Sequence, residues 1–354
     1  MGNTLSIKRV SVEELDIFVI ETELQYLAFV AIIKEIASPS SPIVFTTSER
    51  VFNRLCSDGY ECDLISRSSS GWFGRLNRIK KNLDFYKARI IERKVNYSEI
   101  NLHVPRIDNV HNNIVINFMM HHFRDATIHV RLIPDGAINI FSATLSTSKL
   151  RKQKRWMNNI GFRLLNGLKY YPYSGDELGA DSEIVDRIYC FQGVETSYAK
   201  EKLYMINLPL VADDKKGTGD AVLVIGQNFL QLGTAPKEYI DTVSKAVYQL
   251  VHSISAGKID YAPHPRSSYN EFSHAEYSIV DEEYLCIEEH IAKGCYKNIV
   301  SCYSSALINS KIMFGDNINA YSVGLDSFPF PGKGQAEKLT DTYKKLGIEV
   351  IGCH

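Results

Sequence analysis

Three short motifs in this 354-residue chain could do chemistry together. Pro134-Asp135-Gly136 carries a carboxylate which, when ionised, only accepts hydrogen bonds and can take the proton of an incoming hydroxyl. Ala262-Pro263-His264-Pro265-Arg266 places a histidine between two prolines. The prolines stiffen the backbone on both sides and help to aim the imidazole, which can hydrogen-bond a departing phosphate or protonate it near neutral pH. Tyr303-Ser304-Ser305-Ala306 offers two hydroxyls where a strand gives way to a helix, beside backbone N–H groups suited to a single phosphate. Each motif also has a plain local reading: a common Asp-Gly turn, a histidine in a proline turn, a serine capping a helix. Their weight lies in their order and in the elements that carry them.

Those elements read as alternating strand and helix. Asp16–Ile20 is a short apolar run, followed by helical spacing through Leu24, Leu27, Ala28, Ala31 and Ile32 and then the β-rich Ile43–Thr46, which together predict a βαβ unit. Further strands are expected at Asn113–Phe118 and Thr127–Ile133, the latter closed by the Pro-Asp-Gly turn, so that Asp135 sits at a strand's carboxyl end. The polar, glycine-containing stretch 212–220 reads as a linker between residues 1–211 and 221–354. Beyond it the pattern restarts with strand Ala221–Ile225, a helix from Pro236 to Ile254 closed by Gly257, and strand Lys258–Ala262, which leaves His264 just past the strand end. A helix over Glu282–Ala292 with Gly294 as its stop, and a strand over Asn298–Tyr303, lead into Ser304 and Ser305. Two doubly wound α/β domains facing a central cleft are implied, because open parallel sheets bind ligands outside the carboxyl ends of their strands. Asp135, Gly226, His264 and Ser304 are all expected at such ends.

Composition narrows the function classes. A 45% hydrophobic content at this length can fill two cores, and a formal net charge of −1 excludes a surface built wholly for nucleic acid. Seven cysteines without CxxC pairing predict free thiols in a reducing compartment. No run nears the ~18 apolar residues of a membrane span, and the N-terminus lacks a signal peptide's apolar core, so a cytoplasmic protein is expected. GxxxxGK[ST] and a post-strand GxGxxG are missing, which favours one phosphate over a longer chain. No HExxH or paired Cys/His spacing is present, so no metal ligands and no cofactor are expected. Lys149–Arg155 is a basic run ahead of Trp156, followed by Met157, Ile160, Leu164, Leu165 and Leu168 at helical spacing. It reads either as a basic amphipathic surface for peripheral contact with the inner membrane or a glycolipid acceptor, or as a solvated run leading into a packed helix.

In this order and on this frame, the Asp-Gly, His-Pro and Ser-Ser elements resemble the bacterial GT-B sialyltransferases, nearest to the lipooligosaccharide and polysialic acid group. Glu21–Leu27 is similar to their first strand-to-helix loop, Val224–Gln227 to the start of their nucleotide-binding domain, and Leu285–Glu288 to the segment that holds the donor ribose. The resemblance implies an inverting, metal-independent transfer of sialic acid from CMP-sialic acid to a terminal sugar hydroxyl, such as that of a galactoside, on a bacterial surface glycan. It implies Asp135 as general base and His264 as phosphate ligand and acid. Gly226, Pro265, Glu288, Ser304 and Ser305 would bind the donor, in a C-terminal domain opposite an acceptor-binding N-terminal one. Family motifs commonly carry two acidic residues before the glycine, whereas Pro134 occupies the first position here. Glu21 and Glu23 are therefore alternative bases. A transferase of another CMP-activated nonulosonic acid or of Kdo, and an inactive glycan- or nucleotide-binding protein that lost its base, are the competing readings.

Overall fold

The computed structural model describes residues 13–36, 41–66, 71–136, 145–164, 168–209, 221–254, 257–280, 284, 286–294, 296–330 and 334–353. The chain forms two compact units. The first comprises Met1–Asp135, Phe141–Cys190 and Ser197–Met205, and the second Gly136–Ile140, Phe191–Thr196 and Ile206–His354. The expected linker at 212–220 lies outside the described residues.

The first unit runs β1 (Glu14–Ile20), α1 (Glu23–Glu35), β2 (Ile43–Thr46), α2 (Glu49–Ser57), β3 (Cys62–Leu64), α3 (Gly71–Glu92), β4 (Glu99–Val104), α4 (Val110–His122), β5 (Thr127–Leu132), α5 (Thr147–Met157), α6 (Ile160–Leu164), β6 (Val185–Phe191) and β7 (Leu203–Ile206). Its sheet has the order β3-β2-β1-β4-β5-β6-β7, with parallel pairing from β3 through β6. The order reverses between β1 and β4, which makes the carboxyl ends of those two strands the topological switch point. Leu15, Ile17 and Val19 alternate along β1 into a core shared with Phe45, Leu102 and Val104. Each such side chain contributes about 1.5–3 kcal/mol when fully buried.

The opposite face of the same strands holds a buried polar layer. His103 Nε2 lies 2.9 Å from Asp16 Oδ1, and Arg131 stands 3.8 Å from Asp16 and 3.4 Å from Asp186. Burial, opposed by Asp16, leaves the His103 pKa below its usual value.

Asn113–Phe118 is not a strand; it lies inside α4. Asn109 caps that helix by accepting from His111 N–H at 2.9 Å. Residues 112–116, with Phe118 and Met119, are buried, so no polar stripe interrupts the Ile114-Val115-Ile116 run to reveal a helical period. The central strand β4 has no counterpart in the sequence reading, because Asn101 and His103 break its apolar run; both are buried in the polar layer. The segment after the basic run is not one helix either: α5 ends at Met157, α6 starts afresh at Ile160, and Leu168 packs in the core outside both.

The second unit runs β8 (Val222–Ile225), α7 (Phe229–Leu232), α8 (Lys237–Ile254), β9 (Ile259–Ala262), β10 (Ser278–Ile279), α9 (Ile287–Lys293), β11 (Asn298–Ser301), α10 (Ser305–Phe314), β12 (Asn319–Val323), α11 (Gln335–Lys345) and β13 (Ile348–Ile351). Its sheet is parallel throughout, in the order β10-β9-β8-β11-β12-β13, with the switch point between β8 and β11. Pro236 immediately precedes α8, whose Ile240, Val243, Val247 and Val251 recur at helical spacing and bury against Val224, Val300 and Val323. The helix expected from Glu282 begins only at Ile287, with Cys286 in extended backbone before it and Gly294 after its last turn.

Candidate active site

In the first unit the relevant groups follow β1, β4 and β5. Asp135 ends the segment after β5, and Gly136 next to it adopts φ +81, a left-handed turn that glycine takes at no steric cost. Asp135 Oδ1 accepts a 2.6 Å hydrogen bond from Gln25 Nε2, while Gln25 Oε1 accepts from Glu21 N–H at 2.6 Å. With both ends of its amide engaged, Gln25 fixes Asp135 relative to the loop after β1. Glu21 Oε1 lies 3.5 Å from Asn109 Nδ2, and Glu23 opens α1.

Arg106, beyond β4, holds Asp108 through two guanidinium nitrogens and feels the charge of Asp135. Lys149 adds a 3.0 Å bond to Asp108. Burial raises the Asp108 pKa, but Arg106 and Lys149 more than offset it and hold the carboxyl below its usual range.

In the second unit the groups follow β8, β9 and β11. Gly226 N–H donates to Ala262 O at 2.9 Å, and a Cβ on residue 226 would come 2.3 Å from Tyr261 Oη. Only glycine lets the loop after β8 lie this close to β9. Tyr261 Oη in turn donates to Glu271 O at 2.8 Å, and the Glu271 carboxylate accepts from Phe229 and Leu230 N–H at the start of α7. Gln227 reaches across the switch point, donating from Nε2 to Ser301 Oγ at 2.8 Å, and Ser301 Oγ donates to Ile225 O at 3.0 Å.

His264 is half-buried, and its Nδ1 accepts from Arg266 N–H at 3.1 Å. The neutral ring therefore carries its proton on Nε2. Burial first, and the Arg266 charge second, lower its pKa from the usual value near 6.5. Near neutral pH the free imidazole is thus a neutral donor. Pro265 is exposed. Asn228 Nδ2 donates to Arg266 O at 3.3 Å, tying the loop after β8 to the His-Pro turn.

Ser304 caps α10, its Oγ accepting from Ala306 N–H at 3.2 Å. Capping uses the oxygen as acceptor and leaves the hydroxyl proton to donate, so cap and phosphate contact are compatible. Tyr343 Oη accepts from Ser304 N–H at 3.2 Å and donates to Ser304 O at 3.0 Å, which anchors the cap to α11. Among the described residues Ser305 N–H and Oγ take no partner, so they remain to meet an anion at the positive end of α10. Glu288, only 4% exposed in the first turn of α9, accepts from Asn309 Nδ2 on α10 at 2.8 Å.

A family model described as alpha-2,8-polysialyltransferase (POLYST) matches residues 127–323, over half of the chain. The chain belongs to this family. It is a glycosyltransferase of sialyltransferase type, and the matched segment contains Asp135, Gly226, His264, Pro265, Glu288, Ser304 and Ser305 but neither Glu21 nor Glu23. A comparison with curated proteins finds no match.

Among solved structures, an alpha/beta-galactoside alpha-2,3-sialyltransferase from Photobacterium phosphoreum is similar over 96% of this chain and 98% of its own, with 10% identity and a TM-score of 0.54. A putative UDP-N-acetylglucosamine 2-epimerase from Listeria monocytogenes is similar over 97% and 92%, with 9% identity and a TM-score of 0.50. At such identities the likeness is one of fold, and the fold is GT-B with two Rossmann-like units.

For this polysialyltransferase-family chain, the strand-end positions of Asp135, Gly226, His264 and Ser304 agree with the sequence reading. The long-range contacts around them do not feature in it. Gln25 stands 110 residues from Asp135, and Gln227, Asn309 and Tyr343 likewise act on partners remote in the chain. A glutamine one turn into the helix after the first strand is the only local signal, and Glu21–Leu27 includes it.

Proposed function

We propose that the chain transfers sialic acid from CMP-sialic acid to a sugar hydroxyl, with inversion at the anomeric carbon and without a metal. One observation carries this reading: His264, Ser304 and Ser305, all inside the family-matched segment, collect at the carboxyl edge of one parallel sheet as neutral donors suited to a single phosphate, beside the close-packed loop at Gly226. The GT-B fold and the resemblance of Glu288 to a ribose-holding residue add support.

In the proposed reaction the acceptor oxygen attacks the anomeric carbon while that carbon's bond to the CMP phosphate oxygen breaks. Asp135 takes the acceptor proton, its carboxylate oriented by Gln25. The leaving phosphate departs with the bonding electrons and is stabilised by Ser305 N–H, the two serine hydroxyls and His264 Nε2–H. An oxocarbenium-like transition state at a quaternary carbon asks for these two services, deprotonation and charge stabilisation at the leaving group. A neutral His264 supplies a hydrogen bond first, and the arriving phosphate charge favours its protonation later.

The test is to incubate the purified protein, with EDTA, with CMP-sialic acid and a panel of terminal galactosides and terminal sialosides, reading product mass and linkage. CMP-Kdo replaces the donor in a parallel arm. Sialylated product formed in EDTA is expected. Product only on restoring Mg²⁺, or only from CMP-Kdo, would overturn the corresponding part of the proposal.

A further inference from the structure

The first unit carries a surface that neither the fold nor the transfer reaction uses. Trp72 and Phe73 open α3 with their rings edge to face at 4.5 Å, and they are 42% and 64% exposed. The start of α6 lies directly on Trp72 and Leu76: a Cβ on Gly161 would come 2.7 Å from Trp72 Cη2 and 2.4 Å from Leu76 Cδ1. The neighbour of Gly161, Ile160, is 66% exposed, and Met157 at the end of α5 is 49% exposed. Four large apolar side chains on adjoining helix ends thus face solvent, beside two others, Trp156 and Phe162, that are buried and stacked beneath.

The two helical segments that carry most of this apolar group bear charges of one sign. Residues 71–83 contain Arg75, Arg78, Lys80 and Lys81, and residues 147–157 contain Lys149, Arg151, Lys152, Lys154 and Arg155, with no Asp or Glu in either segment. Arg75, Lys81, Arg151, Lys152, Lys154 and Arg155 are exposed, while Lys149 is drawn inward to Asp108 and Glu177. A second copy would bring like charges together in an isologous contact, which disfavours self-association. Aromatic and aliphatic tips rimmed by lysine and arginine match the two layers of a bilayer surface, acyl chains beneath anionic headgroups. Among the described residues no helix is long and apolar enough to cross a membrane, so the fitting mode is lying on the surface.

We propose that the α3 start and the α5–α6 corner form a peripheral docking surface for anionic phospholipid, with Trp72, Phe73, Met157 and Ile160 entering the interface and the α5 cations meeting the headgroups. The basic run of α5 is one part of this surface, and two of its four apolar side chains, Trp72 and Phe73, come from a helix some eighty residues earlier.

The chain has two tryptophans and Trp156 is buried, so Trp72 is a natural reporter. The whole protein is mixed with vesicles of equal parts phosphatidylglycerol and phosphatidylcholine, and with phosphatidylcholine alone. Co-sedimentation with the anionic vesicles only is expected, with a blue-shifted tryptophan emission quenched by brominated acyl chains and unchanged in Trp156→Phe. Removing two exposed charges (Lys152→Ala with Arg155→Ala) should weaken partitioning roughly 25-fold, at about fivefold per basic residue. Phe73→Ser with Ile160→Ser, both at exposed positions, should abolish the blue shift while circular dichroism stays unchanged. The proposal is overturned by equal binding to neutral vesicles, by sedimentation without an emission shift, or by binding that survives both double variants. A lipid-free dimer dispersed by Phe73→Ser with Ile160→Ser would equally overturn it by assigning the face to self-association.

Discussion

The two sheets share one design: each reverses its strand order once and each gathers polar side chains at the carboxyl ends beside the reversal. They differ in the chemistry placed there. The first unit is ionic, with Asp135, Arg106, Asp108 and Lys149 in contact or within electrostatic reach, Gln25 bonded to Asp135 and Asn109 beside Glu21. The second offers mainly neutral donors: a neutral imidazole, two serine hydroxyls and a helix N-terminus, with Glu288 buried against Asn309. The contrast fits the roles proposed for the two units. A base needs a charged carboxylate held at a fixed angle, whereas a phosphate brings its own charge and is best met by preorganised dipoles that need no counter-ion. The side of the reversal differs as well: Asp135 follows β5, on the flank that continues from β4, and His264 follows β9, on the flank that continues from β8.

Substitutions can break this division of labour or sharpen it. The largest effect is expected at Asp135. Asp135→Asn should lower kcat by about 10²-fold or more, the scale of general acid–base catalysis, with CMP affinity near wild type by calorimetry. If it keeps its activity while Glu21→Gln or Glu23→Gln loses it, the base belongs to the loop after β1.

Next comes Ser304→Ala combined with Ser305→Ala. Hydrogen bonds to a charged group contribute about 1.5–3 kcal/mol each, so CMP should bind at least tenfold more weakly. An unaltered dissociation constant would reduce Ser304 to a cap.

His264→Ala should act on both measurements, weakening CMP about tenfold and slowing transfer. Its pKa is lowered from about 6.5, so the free imidazole is already neutral at pH 7 and its Nε2–H persists as the pH rises. CMP affinity of the free enzyme should therefore stay level from about pH 7 to pH 8. A steady decline across that window, absent in His264→Ala, would mean that a preformed imidazolium binds the phosphate.

The smallest effect is expected at Gln25. Gln25→Ala removes one hydrogen bond to Asp135 and should lower kcat several-fold with the donor KM and CMP affinity unchanged. A change confined to CMP binding would contradict the separation of roles between the units.

Local signals make much of this protein readable. Strands β1, β2, β5, β8, β9 and β11 are short apolar or β-branched runs, and α1, α8 and α10 are bounded by a capping hydroxyl or by proline, so their limits lie within a few residues of the signals that set them. That is why local pattern suffices to assign Asp135, Gly226, His264 and Ser304 to strand ends. Elements whose pattern depends on a distant partner are not readable in this way. β4 carries Asn101 and His103 because Asp16 and its neighbours complete a polar layer there, and α4 hides its period because it is buried on nearly every side.

The sequence by itself determined the order of carboxylate, imidazole and hydroxyls and the alternation that puts each at a strand end, since backbone geometry and periodicity act over a few residues. Tertiary structure alone decided which strand lies beside which, that Gln25 holds Asp135, that Tyr343 anchors Ser304, and that the first turn of α3 joins α5 and α6 in one surface. Those contacts join residues far apart in the chain. They are selected by burial and hydrogen-bond completion in the folded state rather than by any local preference.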